Sequence, residues 1–98
     1  MSLVTKSDIE KVLSDIVNNF LEKKIDADET IEQLITRIDP LEVYKLDNEL
    51  LITDCYFAIK HLTENGYETT IRELQYFREC FAGQRLYDIN EKNKFILD

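Results

Sequence analysis

Apolar side chains recur along most of the chain at intervals of three and four residues, the spacing of one face of an α-helix. The first such stretch has apolar residues at positions 9, 12, 13, 16, 17, 20 and 21. Ser7 followed by Glu10 forms a capping-box pattern, and Lys23 and Lys24 suit the negative C-terminal end of a helix. The sequence therefore predicts a first helix over residues 7–23.

A second capping-box pattern, Asp26 with Glu29, precedes apolar residues at positions 31, 34, 35 and 38. Pro40 disfavours helical backbone at the residue before it, so this helix should span residues 27–38. Because the connection to the first helix is short, we expect the two to be antiparallel. Residues 40–46 are ambiguous, and one helical turn is an interpretation that fits them.

The third predicted helix is apolar on almost every side. Asp47 or Asn48 can cap its start, and Asn65-Gly66 favours a stop after Glu64. Its apolar residues form two stripes, which are Leu51, Cys55, Ala58 and Leu62 on one side and Ile52, Tyr56 and Ile59 on the other. A helix of this kind is usually wrapped by neighbouring helices or meets a partner on its second face.

The remaining chain predicts one further long helix and a short one. Thr70 with Glu73 forms a capping-box pattern for a fourth helix that ends at Gly83, and Asp88 with Glu91 favours a short final helix. The fold class is therefore all-α. The expected architecture is an antiparallel four-helix bundle, with the C-terminal segment as a short fifth helix whose docking the pattern leaves open.

Length and composition limit the class of protein. The chain has 98 residues, 44% hydrophobic and 33% charged, which fits a single globular domain over residues 1–98. No apolar run approaches the roughly 20 residues of a membrane span, and the start lacks the apolar core of a signal peptide. We therefore expect a cytoplasmic protein without a membrane partner. Cys55 and Cys80 should be free, buried thiols; a disulfide is the alternative, because both lie about equally far from Gly66.

The negative charge is concentrated in one region. The net charge is −8, and residues 26–54 contain nine acidic residues against two basic ones. This distribution argues against nucleic-acid binding, which requires a basic surface, and favours a basic protein partner. The alternative is that these acids serve helix capping and solubility.

Candidate catalytic and metal sites are poorly supported. His61 is the only histidine, and Asp54 precedes it by seven residues, or about 10 Å along a helix. Asp26, Asp28 and Glu32 could hold a weakly bound divalent cation, but capping accounts for part of this group. With only two glycines there is no phosphate-binding loop. We expect no enzyme, no cofactor and no metal.

Asp54 is the most informative polar residue, because a carboxylate within an apolar helix must be paired, exposed or used in binding. Arg72 or Arg78 on the fourth helix would be an internal partner. In the alternative, Asp54 joins Asp47 and Glu49 on an exposed acidic face. Tyrosine is also frequent, and two of the five tyrosines, at positions 44 and 56, lie in or beside the acidic region.

The segment from Phe20 to Glu29 resembles a stretch of the colicin D-like immunity proteins, where a helix ends in Phe-Leu before a basic residue, Ile and a short capped helix. The likeness extends over residues 48–62 and 70–81. The chain departs from the family at Thr30, in place of an aromatic residue, and at Lys60, in place of an acid. The resemblance implies an acidic helical bundle that blocks a basic nuclease toxin, with carboxylates in place of RNA phosphates.

The leading hypothesis is thus an immunity or antitoxin type of inhibitor. Its partner-binding residues are predicted to be Asp28, Glu32, Tyr44, Asp47, Glu49, Asp54 and Tyr56. The alternative is a homodimeric regulatory or adaptor module that pairs through the stripe of Ile52, Tyr56 and Ile59. An enzyme that uses Asp54, His61 or the cysteines is the third hypothesis.

Overall fold

The computed structural model describes residues 6–45, 50–64 and 67–97, and these ranges contain six α-helices and no strand. The helices are α1 (Lys6–Leu21), α2 (Ala27–Arg37), α3 (Pro40–Tyr44), α4 (Leu50–Lys60), α5 (Tyr67–Phe81) and α6 (Ile89–Leu97). The all-α class is confirmed. The antiparallel four-helix bundle stays a prediction.

Two of the predicted caps, Asp26 and Asp88, are present, and Asp39 forms a third cap that was not predicted. Asp26 and Glu29 form a complete capping box at the start of α2. Asp39 accepts a hydrogen bond from a backbone N–H of α3, whose first residue is Pro40, so the ambiguous segment does form one helical turn. Asp88 accepts two backbone hydrogen bonds at the start of α6. These side chains satisfy N–H groups that have no partner within the helix.

Two predicted caps are wrong, because each helix extends further upstream. α1 already includes Lys6, so Ser7 lies inside the helix. α5 begins at Tyr67, and Thr70 is a buried residue within its first turn. Glu73 is therefore free to make a tertiary contact instead of a cap.

The first and fifth helices end in the same backbone arrangement. Lys23 has a φ of 63°, and the N–H groups of Lys23 and Lys24 donate to the carbonyls of Phe20 and Asn19. This is the pattern of a Schellman motif, and it ends α1 at Leu21, earlier than predicted. Gly83 takes the equivalent position after α5, with a φ of 77°.

The apolar helix α4 lies among the others. It packs against α1, α2, α3 and α5. Ile52, Cys55, Tyr56, Ala58, Ile59 and Leu62 are all buried, so both predicted stripes face the chain's own helices. α4 ends at Lys60, four residues before the predicted end, and tight turns follow it. Its predicted caps and the Asn65-Gly66 stop lie outside the described residues.

The C-terminal helix also docks. α6 packs on α5, and the Tyr76 hydroxyl of α5 donates to the carbonyl of Leu86 and accepts a hydrogen bond from the N–H of Asp88. Arg72 donates twice to the carbonyl of Phe95, at 3.0 and 2.7 Å. In the ranges that the structure covers, none of the helices has the length and apolarity needed to cross a bilayer.

Candidate partner-binding surface

A buried lysine joins the last three helices. Lys92 of α6, with 6% of its side chain exposed, lies 2.6 Å from Asp54 Oδ2 of α4 and 2.7 Å from Glu73 Oε2 of α5. Its ammonium group also lies 5.3 Å from the centroid of the Phe77 ring. Two carboxylates face one ammonium group, so this cluster carries a net negative charge when all three groups are ionised.

The internal partner predicted for Asp54 among the arginines of α5 is therefore wrong. Arg72 binds the backbone of Phe95, and Arg78 is an exposed residue. α6 supplies the cation instead, because its docking brings Lys92 beside Asp54.

The contacts around Lys92 also shift the pKa values of Tyr87, Cys55 and Lys92 itself. The Tyr87 hydroxyl donates to Asp54 Oδ2, and burial together with this hydrogen bond raises the Tyr87 pKa well above its usual value. Burial alone would lower the pKa of Lys92, but the hydrogen bonds to Asp54 and Glu73 outweigh it and leave the pKa raised. Burial, assisted by the charges of Asp54 and Glu73, raises the pKa of the Cys55 thiol. At neutral pH Lys92 is charged and Cys55 is not a thiolate.

A groove opens beside this cluster, between α4 and the start of α6. It is lined by three apolar side chains, two carboxylates, a hydroxyl and a phenol, which are those of Leu50, Phe57, Ile89, Asp54, Asp88, Thr53 and Tyr87. We call it the α4–α6 groove. Leu50 is 63% exposed and Ile89 is 49% exposed, so large apolar groups meet solvent next to two acids.

Asp54 contributes to both the cluster and the groove. The hydrogen bonds from Lys92 and Tyr87 end on Oδ2, and among the described residues none ends on Oδ1. The side chain is 25% exposed. Asp54 therefore keeps an acceptor oxygen for a further donor.

Tyr44 extends this surface from α3. Its side chain is 57% exposed, and its ring centroid lies 6.2 Å from that of Phe57. Phe57 in turn stacks on the exposed ring of His61, which also contacts Glu64. Of the predicted contact residues, Tyr44 and Asp54 are thus brought together around Phe57.

The other predicted contact residues lie elsewhere. Asp28 and Glu32 are exposed one turn apart on α2, and neither lines the α4–α6 groove. Asp47 and Glu49 lie outside the described residues.

Tyr56 is a core residue. It is 1% exposed, and its ring packs edge-on against Phe57 with 5.4 Å between centroids. Burial raises its pKa. Ile52 and Ile59 are fully buried as well, so the stripe predicted to form a homodimer is covered by helices of the same chain.

The candidate metal ligands and the two cysteines do not form a metal site or a disulfide among the described residues. Where the structure describes the chain, no three His, Cys, Asp or Glu side chains lie close enough to hold a metal ion. Asp26, from the predicted cation group, is occupied as a helix cap. Both cysteines are free thiols; Cys55 is buried, as predicted, whereas Cys80 is partly buried.

The sequence did not lead us to predict the ion pairs of Lys92 with Asp54 and Glu73. Lys92 falls in the apolar stripe of α6, three residues after Ile89 and three before Phe95. A lysine at such a position is a signal for a buried ion pair. Comparisons with protein-family models, curated proteins and solved structures found no match to the chain.

Proposed function

We propose that this chain is a small inhibitor that binds a basic protein in the cytoplasm and covers its functional site, as an immunity protein covers a nuclease toxin. The observation that carries this proposal is the surface formed by Tyr44 and the α4–α6 groove. There, exposed aromatic and aliphatic side chains adjoin the carboxylates of Asp54 and Asp88. Aromatic anchors supply much of the energy of protein interfaces, and charge selects the partner.

The rest of the chain adds long-range attraction. Its net charge is −8, and Asp28 and Glu32 on α2 are exposed, with no ion pair to any described residue. Such a field accelerates encounter with a cationic protein. The antiparallel arrangement of α1, α2, α4 and α5 predicted from the sequence would hold the surface rigidly. The carboxylates would then occupy positions that RNA phosphates take on the toxin.

The test compares three forms of the chain. Tyr44→Ala removes the exposed anchor, and Ile35→Ala removes an equally exposed apolar side chain from α2 as a control. Each is co-expressed in a bacterial host with the product of the neighbouring reading frame, and growth is measured. We expect the wild type and Ile35→Ala to rescue growth, and Tyr44→Ala to rescue it less well.

Binding of the purified proteins gives the second measurement. The association rate should fall steeply between low and physiological salt, because screening weakens electrostatic steering. Absence of rescue by the wild type, or equal rescue by all three forms, would refute the proposal. A partner without a basic surface would refute it as well.

A further inference from the structure

We infer that the α4–α6 groove receives one arginine side chain of the partner, with its guanidinium group bound at Asp54 Oδ1 and its stem against Phe57 and Ile89. This inference rests on the proposed function and names the group that the surface recognises. Three features of the groove support it, namely its charge, its available acceptor and its mixed lining.

The charge beside the groove is unbalanced. Lys92 neutralises one of the two carboxylates that it contacts, and Asp88 adds another carboxylate at the groove itself. In the described ranges, Lys92 is the one cation paired with Asp54, and no cation is paired with Asp88. A partly buried excess of negative charge favours an incoming cation.

The second feature is an available acceptor oxygen on the Asp54 carboxylate, whose orientation is already fixed. Asp54 Oδ2 is occupied by Lys92 and Tyr87, which fixes the orientation of the carboxylate before any partner arrives. Oδ1 remains for another donor. A pre-oriented acceptor loses little conformational freedom on binding, so the contact gains affinity.

The lining selects the kind of cation. A metal ion prefers several oxygen ligands, and in the described part of the chain no cluster of three metal-binding side chains exists. The walls are instead apolar and aromatic, from Leu50, Phe57 and Ile89. An arginine combines an apolar stem with a planar cation that stacks on rings, whereas the lysine ammonium is compact and strongly hydrated. The chain itself already stacks Arg72 on Phe95, 5.0 Å from the ring centroid.

The inference is tested without the partner, by NMR titration of the labelled 98-residue chain with N-acetyl-arginine amide. We expect saturable shifts of the Asp54, Phe57 and Ile89 amides with a Kd of about 1 mM, the range set by ligand size. N-acetyl-citrulline amide, which is neutral and nearly isosteric, should bind at least about tenfold more weakly, since the charged hydrogen bond is lost. N-acetyl-lysine amide should bind more weakly than the arginine probe.

Two variants locate the binding. Asp88→Asn removes a charge at the groove but keeps an oxygen that can cap α6, and it should weaken binding of the arginine probe by about threefold. Asp15→Asn makes the same charge change at an exposed site on α1 and should leave binding unchanged. Equal binding of the citrulline or lysine probe, shifts spread over the whole surface, or equal effects of the two variants would overturn the inference. Concentration-dependent shifts of the free chain at these residues would also overturn it, in favour of a second copy in the groove.

The experiments distinguish a wrong groove inference from a wrong masking function. If the toxin is bound and inhibited but the arginine and citrulline probes do not differ, the groove inference is wrong and the masking function stands. If the probe binds in the groove but no basic protein is inhibited, the masking function is wrong and the groove serves another arginine-bearing ligand.

Discussion

Lys92 and Asp54 form a 2.6 Å ion pair that fastens the last helix to the most apolar one. The carboxylate that holds this lysine also lines the α4–α6 groove, so one side chain connects the docking of α6 with the proposed recognition of a partner. A buried ion pair is weak evidence for stability, because desolvation offsets much of its attraction. Removing one member, however, leaves the other charges without compensation.

Lys92→Met should therefore destabilise the chain by about 2–4 kcal/mol. The substitution keeps the apolar stem but leaves Asp54 and Glu73 facing each other without a cation. The expected loss is below that of a fully buried pair, because Asp54 remains 25% exposed. Chemical denaturation at neutral pH measures the free energy of unfolding.

The double variant Lys92→Met with Asp54→Asn is the control for this mechanism. Asparagine retains an oxygen for the Tyr87 hydroxyl and removes one of the two uncompensated charges. The double variant should be more stable than the sum of the two single effects by at least about 1 kcal/mol. If the two single effects on the free energy of unfolding simply add, the ion pair between Lys92 and Asp54 does not account for the destabilisation.

Alkaline pH should destabilise the chain. The pKa values of Cys55, Tyr87 and Lys92 are all raised in the folded state, so the folded chain retains protons that the unfolded chain releases. Stability should be constant up to about pH 8 and fall above about pH 8.5, where unfolded cysteine ionises. Each proton retained only by the folded chain contributes a slope of about 1.4 kcal/mol per pH unit.

The variant Cys55→Ala with Cys80→Ala separates the thiols from the other groups. Burial raises the pKa of both thiols, and their removal should move the onset of destabilisation to about pH 10, where tyrosine and lysine ionise in unfolded chains. Urea midpoints measured from pH 7 to 11 would show this shift. An onset unchanged by the double substitution would contradict the assignment to the cysteines.

Local sequence patterns predicted the helix bounds well where a capping box or a proline marks the end of a helix. The capping box of Asp26 and Glu29, and the stop at Pro40, place α2 within one residue of its actual bounds. Two helix starts were predicted wrongly, at Ser7 and Thr70, which match a capping pattern but lie inside longer helices, and α1 and α4 end earlier than predicted. Serine and threonine have moderate helix propensity, so tertiary packing decides such cases.

The candidate surface was predictable only in part, because it depends on contacts between distant segments. Tyr44 and Asp54 were predicted as contact residues from the acidic region and from a carboxylate within an apolar helix. The pairing of Asp54 with Lys92, 38 residues away, depends on how α6 docks. Tyr56 was predicted as a contact residue because it lies beside the acidic region, but it is buried. Since α4 is apolar all around, its pattern does not show which side its neighbours cover.

The ends of α1 and α5 offer a matched pair of substitutions. Lys23 adopts a left-handed backbone at the position that Gly83 takes in α5. Lys23→Gly should stabilise the chain by about 1 kcal/mol, and Gly83→Ala should destabilise it by a similar amount, because a Cβ is unfavourable in this conformation. Thermal unfolding measures both.

Lys11→Gly provides the control for this pair. Lys11 is exposed in the middle of α1, where glycine should destabilise the chain by about 1 kcal/mol. A stabilising effect at Lys11, or a destabilising effect at Lys23, would contradict the proposed backbone mechanism.

Substitution of Tyr44 should affect partner binding, whereas substitution of Tyr56 should affect the stability of the chain. Tyr56→Ala removes a ring that is 1% exposed and should destabilise the chain by about 3–5 kcal/mol. Tyr44→Ala removes an exposed ring that contacts Phe57 and should change stability by at most about 1 kcal/mol, yet weaken partner binding at least tenfold. Denaturation and calorimetric titration measure the two effects. If Tyr56→Ala weakened binding in a chain of unchanged stability, Tyr56 would be a contact residue and its place in the core would be refuted.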